Sequence, residues 1–558
     1  MKSEKSENFI FWLISFALIS CTLAFFPNYL THPYSVSKLV PLVAIGFALL
    51  PLLVYSLNRE SIMRYKVLLS LVLVNLLWSI ASLIYPQNNI VQEIYGIWGR
   101  SNGFLSHLSY LVILTSAIFI SNQKHLERFT DISILLGWIS LVYGLLQAYS
   151  MVTIESITGN NNRSTSFFGN TNFHSAFIGF IATFALAVSL KRDLDKFRRF
   201  FFIAFCLFVP FAIYKSDAQQ GFLVIYIGFS SVAYIYLRSL TYFKSANIFA
   251  LISSLGLFVT ILGFFQKGPL QTLVYQDSIS SRGFYMRAGI KMFLDNPIFG
   301  IGFDSYRDWY RRTREYGAIN ASSLGPRDIS DSAHNYFIDL AASGGTFVFI
   351  SFVCLWFYIL SCGIKLIKKS KTFDSTSTAL FSSFIAFTSQ MFISLPQIGL
   401  TIWGWAIGGL IIARYKNFAF EVNIEKSKSV ITPQYLSAIL FLVGLLITIP
   451  SFRSSHEYRK SVETQDVQRL IKTALSFPRE ATMLAASGGA LIGIERYQEA
   501  KILLDTSIRI FPQYYESWYL YSLLPNLNYE QLSIAKKQMK ILEPLVLIEK
   551  ANNVENQR

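Results

Sequence analysis

The chain has 558 residues, 53% of them hydrophobic and only 15% charged, with a mean hydropathy of +0.41 and 49 phenylalanines. That composition excludes a soluble globular protein of this length and describes an all-α polytopic membrane protein. The formal charge of +16 invites a nucleic-acid reading. Much of it, however, lies in short loops between apolar segments, where lysine and arginine set orientation and meet anionic headgroups. The lipid bilayer is therefore the expected partner, and nucleic acid is not.

Thirteen apolar stretches are long enough to cross a bilayer as helices, near 9–26, 36–57, 67–85, 104–121, 132–150, 172–190, 200–214, 220–237, 247–265, 335–364, 378–394, 398–413 and 434–451. The first follows Lys2 and Lys5 as in a signal peptide, yet it leads into further spans without a small-residue cleavage site, so it reads as an uncleaved helix. With the N-terminus in the cytoplasm, the basic clusters Arg59/Arg64/Lys66, Lys191 to Arg199, Lys365 to Lys371 and Arg414 to Lys428 all fall on the cytoplasmic side. The opposite short loops hold isolated cations, Arg100, Arg163 and Lys215. Cys21, Cys206, Cys354 and Cys362 lie in or at the ends of spans with no metal-ligand spacing, and no cofactor is expected.

The segment 266–334 reads as a large extracytoplasmic loop within a membrane domain of residues 1–451. After 451 the sequence turns polar with helical periodicity. Phe477-Pro478 and Phe511-Pro512 lie 34 positions apart, the tetratricopeptide period, and Ala500 to Ile508 and Tyr515 to Trp518 fit the packing positions of such helix pairs. The alternative is an ordinary helical-hairpin domain. An odd number of spans places this tail, 452–558, on the same side as the large loop.

Five unusual segments then converge on the extracytoplasmic face: Trp98 to Gly103, Arg163 to Asn172, Lys215 to Gly221, Arg282 to Arg314, and His334-Asn335. A guanidinium is permanently charged and matches phosphate oxygens with a donor fork, whereas an ion beside hydrocarbon costs several kcal/mol unless partnered. Several cations facing one cleft suit a diphosphate, and the expected set is Arg100, Arg163, Lys215, Arg282 and Arg287. The bland alternative is that Arg100 and Arg163 snorkel to headgroups.

His334 sits where the loop meets a long apolar helix, and its titration range suits general-base activation of a hydroxyl. Asp331 either orients it or caps the helix that follows. Asn172 and Gln220 are polar groups placed to shape the site. Pro297-Ile-Phe-Gly300-Ile-Gly302 is too sparse for a dinucleotide fingerprint and reads as a tight turn. No P-loop, HExxH or GxSxG occurs, and Asp193-Leu-Asp195 lies among basic residues of a cytoplasmic loop.

The Arg163 to Asn172 stretch, Arg282 followed by Asp295-Asn-Pro-Ile-Phe-Gly-Ile-Gly302, and His334-Asn335 with its trailing glycines resemble the O-antigen ligase and polymerase superfamily, which includes bacterial protein O-oligosaccharyltransferases. The resemblance covers roughly residues 90 to 410. It implies a GT-C-like enzyme of the bacterial inner membrane that transfers a glycan, without a metal, from a polyprenyl diphosphate donor to a hydroxyl of a glycan, lipid or protein acceptor on the periplasmic face. By that likeness Arg163 and Arg282 hold the diphosphate, His334 assists the acceptor and Asn335 positions it. Two departures stand out. Gln219-Gln220-Gly221 replaces the Ser-Arg pair that many relatives carry before a glycine, so Lys215 is the substitute cation. The glycines after His334 fit ligases loosely, leaving polymerase open. A lipid-linked glycan flippase is the rival of another class, but a transporter distributes its charges along a midplane path, and these gather at one face.

Overall fold

A computed structural model describes residues 2–84, 89–152, 154–156, 159–161, 164–274, 277–321, 329–370, 372–419 and 433–545. These residues are almost entirely helical. The exception is a pair of three-residue strands, Ile154–Ser156 and Gly159–Asn161, antiparallel with Ile154 opposite Asn161.

Eleven of the described helices are long and apolar enough to cross a membrane, from Lys5–Leu23 to Pro433–Glu463. At the two remaining predicted positions stand shorter helices, Phe104–Ala117 of 14 residues and Ser375–Met391 of 17. Both are buried along most of their length. A helix surrounded by protein need not match the hydrocarbon thickness, so these two fall short of the lipid-facing standard. Thr171–Ser189 and Ile398–Asn417 also run through the interior, whereas Phe243–Phe264 is almost wholly uncovered and turns its apolar surface outward. The core is packed with aromatic rings, with Trp403 and Trp405 fully buried.

The helix Tyr336–Lys369 starts at Asn335, whose Oδ1 accepts from the amides of Phe337 and Ile338, and ends with Lys368 and Lys369 in its last turn. Capping of that kind satisfies donors left over by the first turn and sets where the helix begins. The helix breaks at Gly345, whose φ of 72° is left-handed. Residues 297–302 fill the break. Ile301 N–H donates to the Ala342 carbonyl (2.8 Å), Gly302 N–H to Ser343 (3.0 Å), and Thr346 N–H returns to Pro297 (2.7 Å). A side chain on Gly345 would run into Ile298 O at 2.2 Å, and one on Gly300 into Ser343 O at 2.4 Å, so only glycine permits this approach. The predicted tight turn is therefore also a graft of the loop onto the helix that begins beside His334.

The change of composition at 451 falls inside one continuous helix, Pro433–Glu463, which packs along Val36–Ser56 and runs on into the tail. The tail adds Val467–Ala474, Ala481–Gly493, Tyr497–Ile510, Tyr515–Tyr521 and Tyr529–Leu542 around its own apolar cluster. It is also tied back to the bundle. Thr31 Oγ1 donates to Ser455 O (2.9 Å), His456 stacks on Tyr29 (3.8 Å), and Trp98 packs against Tyr458 (4.8 Å). Arg311 and Arg314, on and just after the loop helix Tyr306–Thr313, pair with Glu543, and Arg311 also reaches Glu516 (2.8 Å). Loop and tail thus share one face of the bundle.

Candidate active site

His334 occupies a five-residue passage between Ser330 and the capped helix. Its φ of 53° is unusual for a residue with a side chain, and three contacts hold it there. The His334 amide donates to Ser332 Oγ (3.1 Å), the Ala333 amide donates to Asp339 Oδ1 (2.6 Å), and Asn335 anchors the helix start. Nδ1 lies 3.0 Å from Ser332 Oγ and 3.4 Å from the Ser332 carbonyl. The Ser332 carbonyl only accepts, so with the proton on Nδ1 the lone pair lies on Nε2, while the Ser332 hydroxyl can serve either tautomer. Burial, and next the Arg282 charge, pull the imidazole down to about 4, with Asp331 opposing them. His334 is accordingly neutral at physiological pH.

Arg282 lies on the loop helix Asp277–Asp295, and its Nη1 donates to Ile393 O (3.1 Å). Asn335 Nδ2 donates to the adjoining Phe392 O (3.0 Å), so both residues grip the same turn between Ser375–Met391 and Ile398–Ala419. The ring of Tyr285, one turn after Arg282, stands 5.4 Å from the His334 ring. Asn335 thus uses its amide oxygen on the cap and its amide nitrogen on Phe392.

Arg100 pairs with Asp331 across 231 positions of sequence. Burial alone would raise the Asp331 carboxyl, but the Arg100 guanidinium beside it holds it below its ordinary value. Asp331 is thus an ion-pair partner, and the helix cap is Asn335. Asp304 fixes the other side of the Arg100 turn by accepting from the Ile97 amide (2.8 Å) and the Asn102 amide (3.2 Å). Burial pushes its carboxyl up to about 6. A cavity opens between this turn and the start of Tyr336–Lys369, lined by Arg100, His107, Asp304, Asp331, Ser332 and Asp339 among others.

The remaining predicted residues stand elsewhere. Arg163 lies outside the described residues. Arg287 is exposed, bonded to Glu315 at 2.9 Å and stacked on Phe284. Lys215 ends its helix over the rings of Tyr149 (5.4 Å) and Phe211 (5.8 Å). The Asn172 amide is capped by Asn170 (2.8 Å), and Gln220 is buried with Nε2 3.4 Å from Gln390 Oε1. Sequence reasoning missed Asp304, Asp339 and Tyr285. Asp339 alone left a trace, an acid in the first turn of a helix, where carboxylates are favoured. Among the described residues no group of three His, Cys, Asp or Glu is placed to hold a metal ion.

The family model described as O-antigen ligase matches residues 200–353. This segment is similar to the O-antigen ligase family. It contains both loop helices, Arg282, the Pro297 to Gly302 graft and His334, whereas Arg100 and Arg163 precede it. No curated protein matches the chain. The O-antigen ligase match and the eleven apolar helices together describe a multi-pass membrane enzyme family of ligase or polymerase type.

Proposed function

We propose that the protein moves a glycan from a polyprenyl diphosphate carrier to an acceptor hydroxyl at the extracytoplasmic face of a bacterial inner membrane. The observation that supports this most is His334, held neutral by burial and the Arg282 charge, beside that half-buried arginine and inside the segment matched to O-antigen ligases. In this reading the acceptor oxygen bonds to the anomeric carbon as the bond from that carbon to the diphosphate oxygen breaks. The bonding pair leaves with the diphosphate, where Arg282 offsets the developing charge. The acceptor proton passes to Nε2 of His334, which Ser332 and Asp339 hold in place. Transfer to a lipid-borne acceptor is the first reading. Polymerisation and transfer to a protein use the same chemistry with a different acceptor.

Incubating the purified protein with a polyprenyl diphosphate-linked glycan and a set of glycan, lipid and protein acceptors tests the reading directly. A glycosylated product with release of polyprenyl diphosphate is expected, and the donor merely appearing on the other leaflet of a vesicle would turn the assignment to a flippase. The orientation is tested by single cysteines. One at the highly exposed Tyr529 is expected to react with an impermeant thiol reagent from outside the inner membrane, and one at Ser370 only after permeabilisation.

A further inference from the structure

Trp309 and Arg312 lie one turn apart on the loop helix Tyr306–Thr313, and the transfer chemistry uses neither. The guanidinium stacks on the indole with its central carbon 4.1 Å from the ring centroid. Among the described residues its buried Nε and Nη2 have no hydrogen-bond partner, and neither has the buried indole Nε1. Nε and Nη2 form the long edge of a guanidinium, the one that presents two parallel N–H groups to an oxyanion. Arginine neighbours on the same helix show the contrast, since Arg311 gives its nitrogens to Glu516 and Glu543.

Asp308, one turn before Arg312, is not its ion-pair partner among the described residues. Its Oδ2 accepts from Gln92 Nε2 at 2.6 Å, and among the described residues its Oδ1 has no hydrogen-bond partner. Burial, opposed by the Gln92 hydrogen bond and by the Arg307 and Arg312 charges, pushes that carboxyl up to about 7, while burial, opposed by the Asp308 charge, leaves Arg312 at about 10 and charged at neutral pH. Desolvated donors left unbonded are costly, most of all on a charged group, and a ligand seated there would remove that cost. Three unbonded donors, a guanidinium pair and the indole N–H of the ring it lies over, match the several acceptor oxygens of a phosphate.

We propose that Arg312 and Trp309 form a receptor for a phosphate group, separate from the Arg282 and His334 cluster and filled by a membrane-lipid headgroup or by a phosphorylated substrate. It needs neither His334 as base nor Arg282 as donor ligand.

The test uses the full-length protein in phosphatidylcholine nanodiscs, titrated with inorganic phosphate and followed by phosphorus NMR line broadening. Saturable broadening is expected for the wild type, with affinity weakened at least about tenfold by R312Q and several-fold by W309F, as loss of charge-assisted donors implies. R282Q is expected to keep it. In phosphatidylglycerol nanodiscs, loss of the response to added phosphate assigns the receptor to lipid headgroups, and its persistence assigns it to a soluble or substrate-borne phosphate. The receptor is overturned if the wild type shows no saturable binding in phosphatidylcholine, or if R312Q binds as the wild type does. Should R312Q fail to fold, undiminished binding by both R312K and W309F overturns it equally.

Discussion

Arg311 and Arg282 belong to the same polar loop and carry the same charge, yet they end in different employments. Arg311 lies against Glu516 and Glu543 of the tail, with Arg314 adding to the same acidic pair and both Arg314 and Glu543 almost fully buried. Arg282 meets a backbone carbonyl and a neutral histidine, and its charge is matched by no carboxylate within ion-pair distance among the described residues. The difference teaches that supply of counter-charge, not residue type, separates docking arginines from those poised for an anion. A guanidinium already neutralised cannot also stabilise a leaving diphosphate without breaking a pair that costs several kcal/mol to lose.

The widest gap between the two regions should appear at the chemistry itself. His334→Ala is expected to lower transfer by about a hundredfold or more, the range for a lost general base, while donor binding and folding persist. Single-turnover rates alongside equilibrium donor binding check it, and unchanged turnover would remove the base assignment. On the docking side, Glu543→Gln keeps shape but removes a buried carboxylate from Arg314 and one of two from Arg311, and should destabilise the fold by about 3 kcal/mol. The unfolding midpoint and proteolysis of the tail would report this, and an unaltered midpoint would show that the ion cluster does not brace the loop.

Arg282→Gln should weaken donor binding about tenfold, since a hydrogen bond to a charged group is worth about 1.5–3 kcal/mol, and lysine should restore only part. It should also change the pH profile. The acid limb of kcat/KM reports the free enzyme, so for the wild type activity is expected to hold from neutral pH down to about 4, where His334 takes up a proton. Removing the Arg282 charge removes one cause of that depression, and the limb should move upward toward 6.5. A limb that stays in place would separate Arg282 from His334. The smallest effect is expected at Arg287, whose exposed pair with Glu315 is worth about 0–1 kcal/mol, so that Arg287→Gln should leave donor affinity within about twofold.

The tail also reads differently in the fold than in the sequence. Its helical periodicity marks a separate domain, but its acids neutralise the loop arginines and its first helix is continuous with a membrane span. Bracing of the loop that carries the site is the role these contacts support.

By itself the sequence determined the membrane class, the places of the helices and the glycine turn at 300–302. Each of these follows from local physics. Apolar length governs insertion, and glycine permits left-handed backbone. Only the tertiary structure decided what each polar group is used for. Arg100 found Asp331 and Asp304 found the Ile97 amide across more than two hundred positions, Asn335 was taken by a cap, and Arg287 was drawn off to Glu315. Periodicity carries no information about such pairs. A hydrogen bond or ion pair depends on distances of a few ångströms, and those are set when helices remote in sequence pack together.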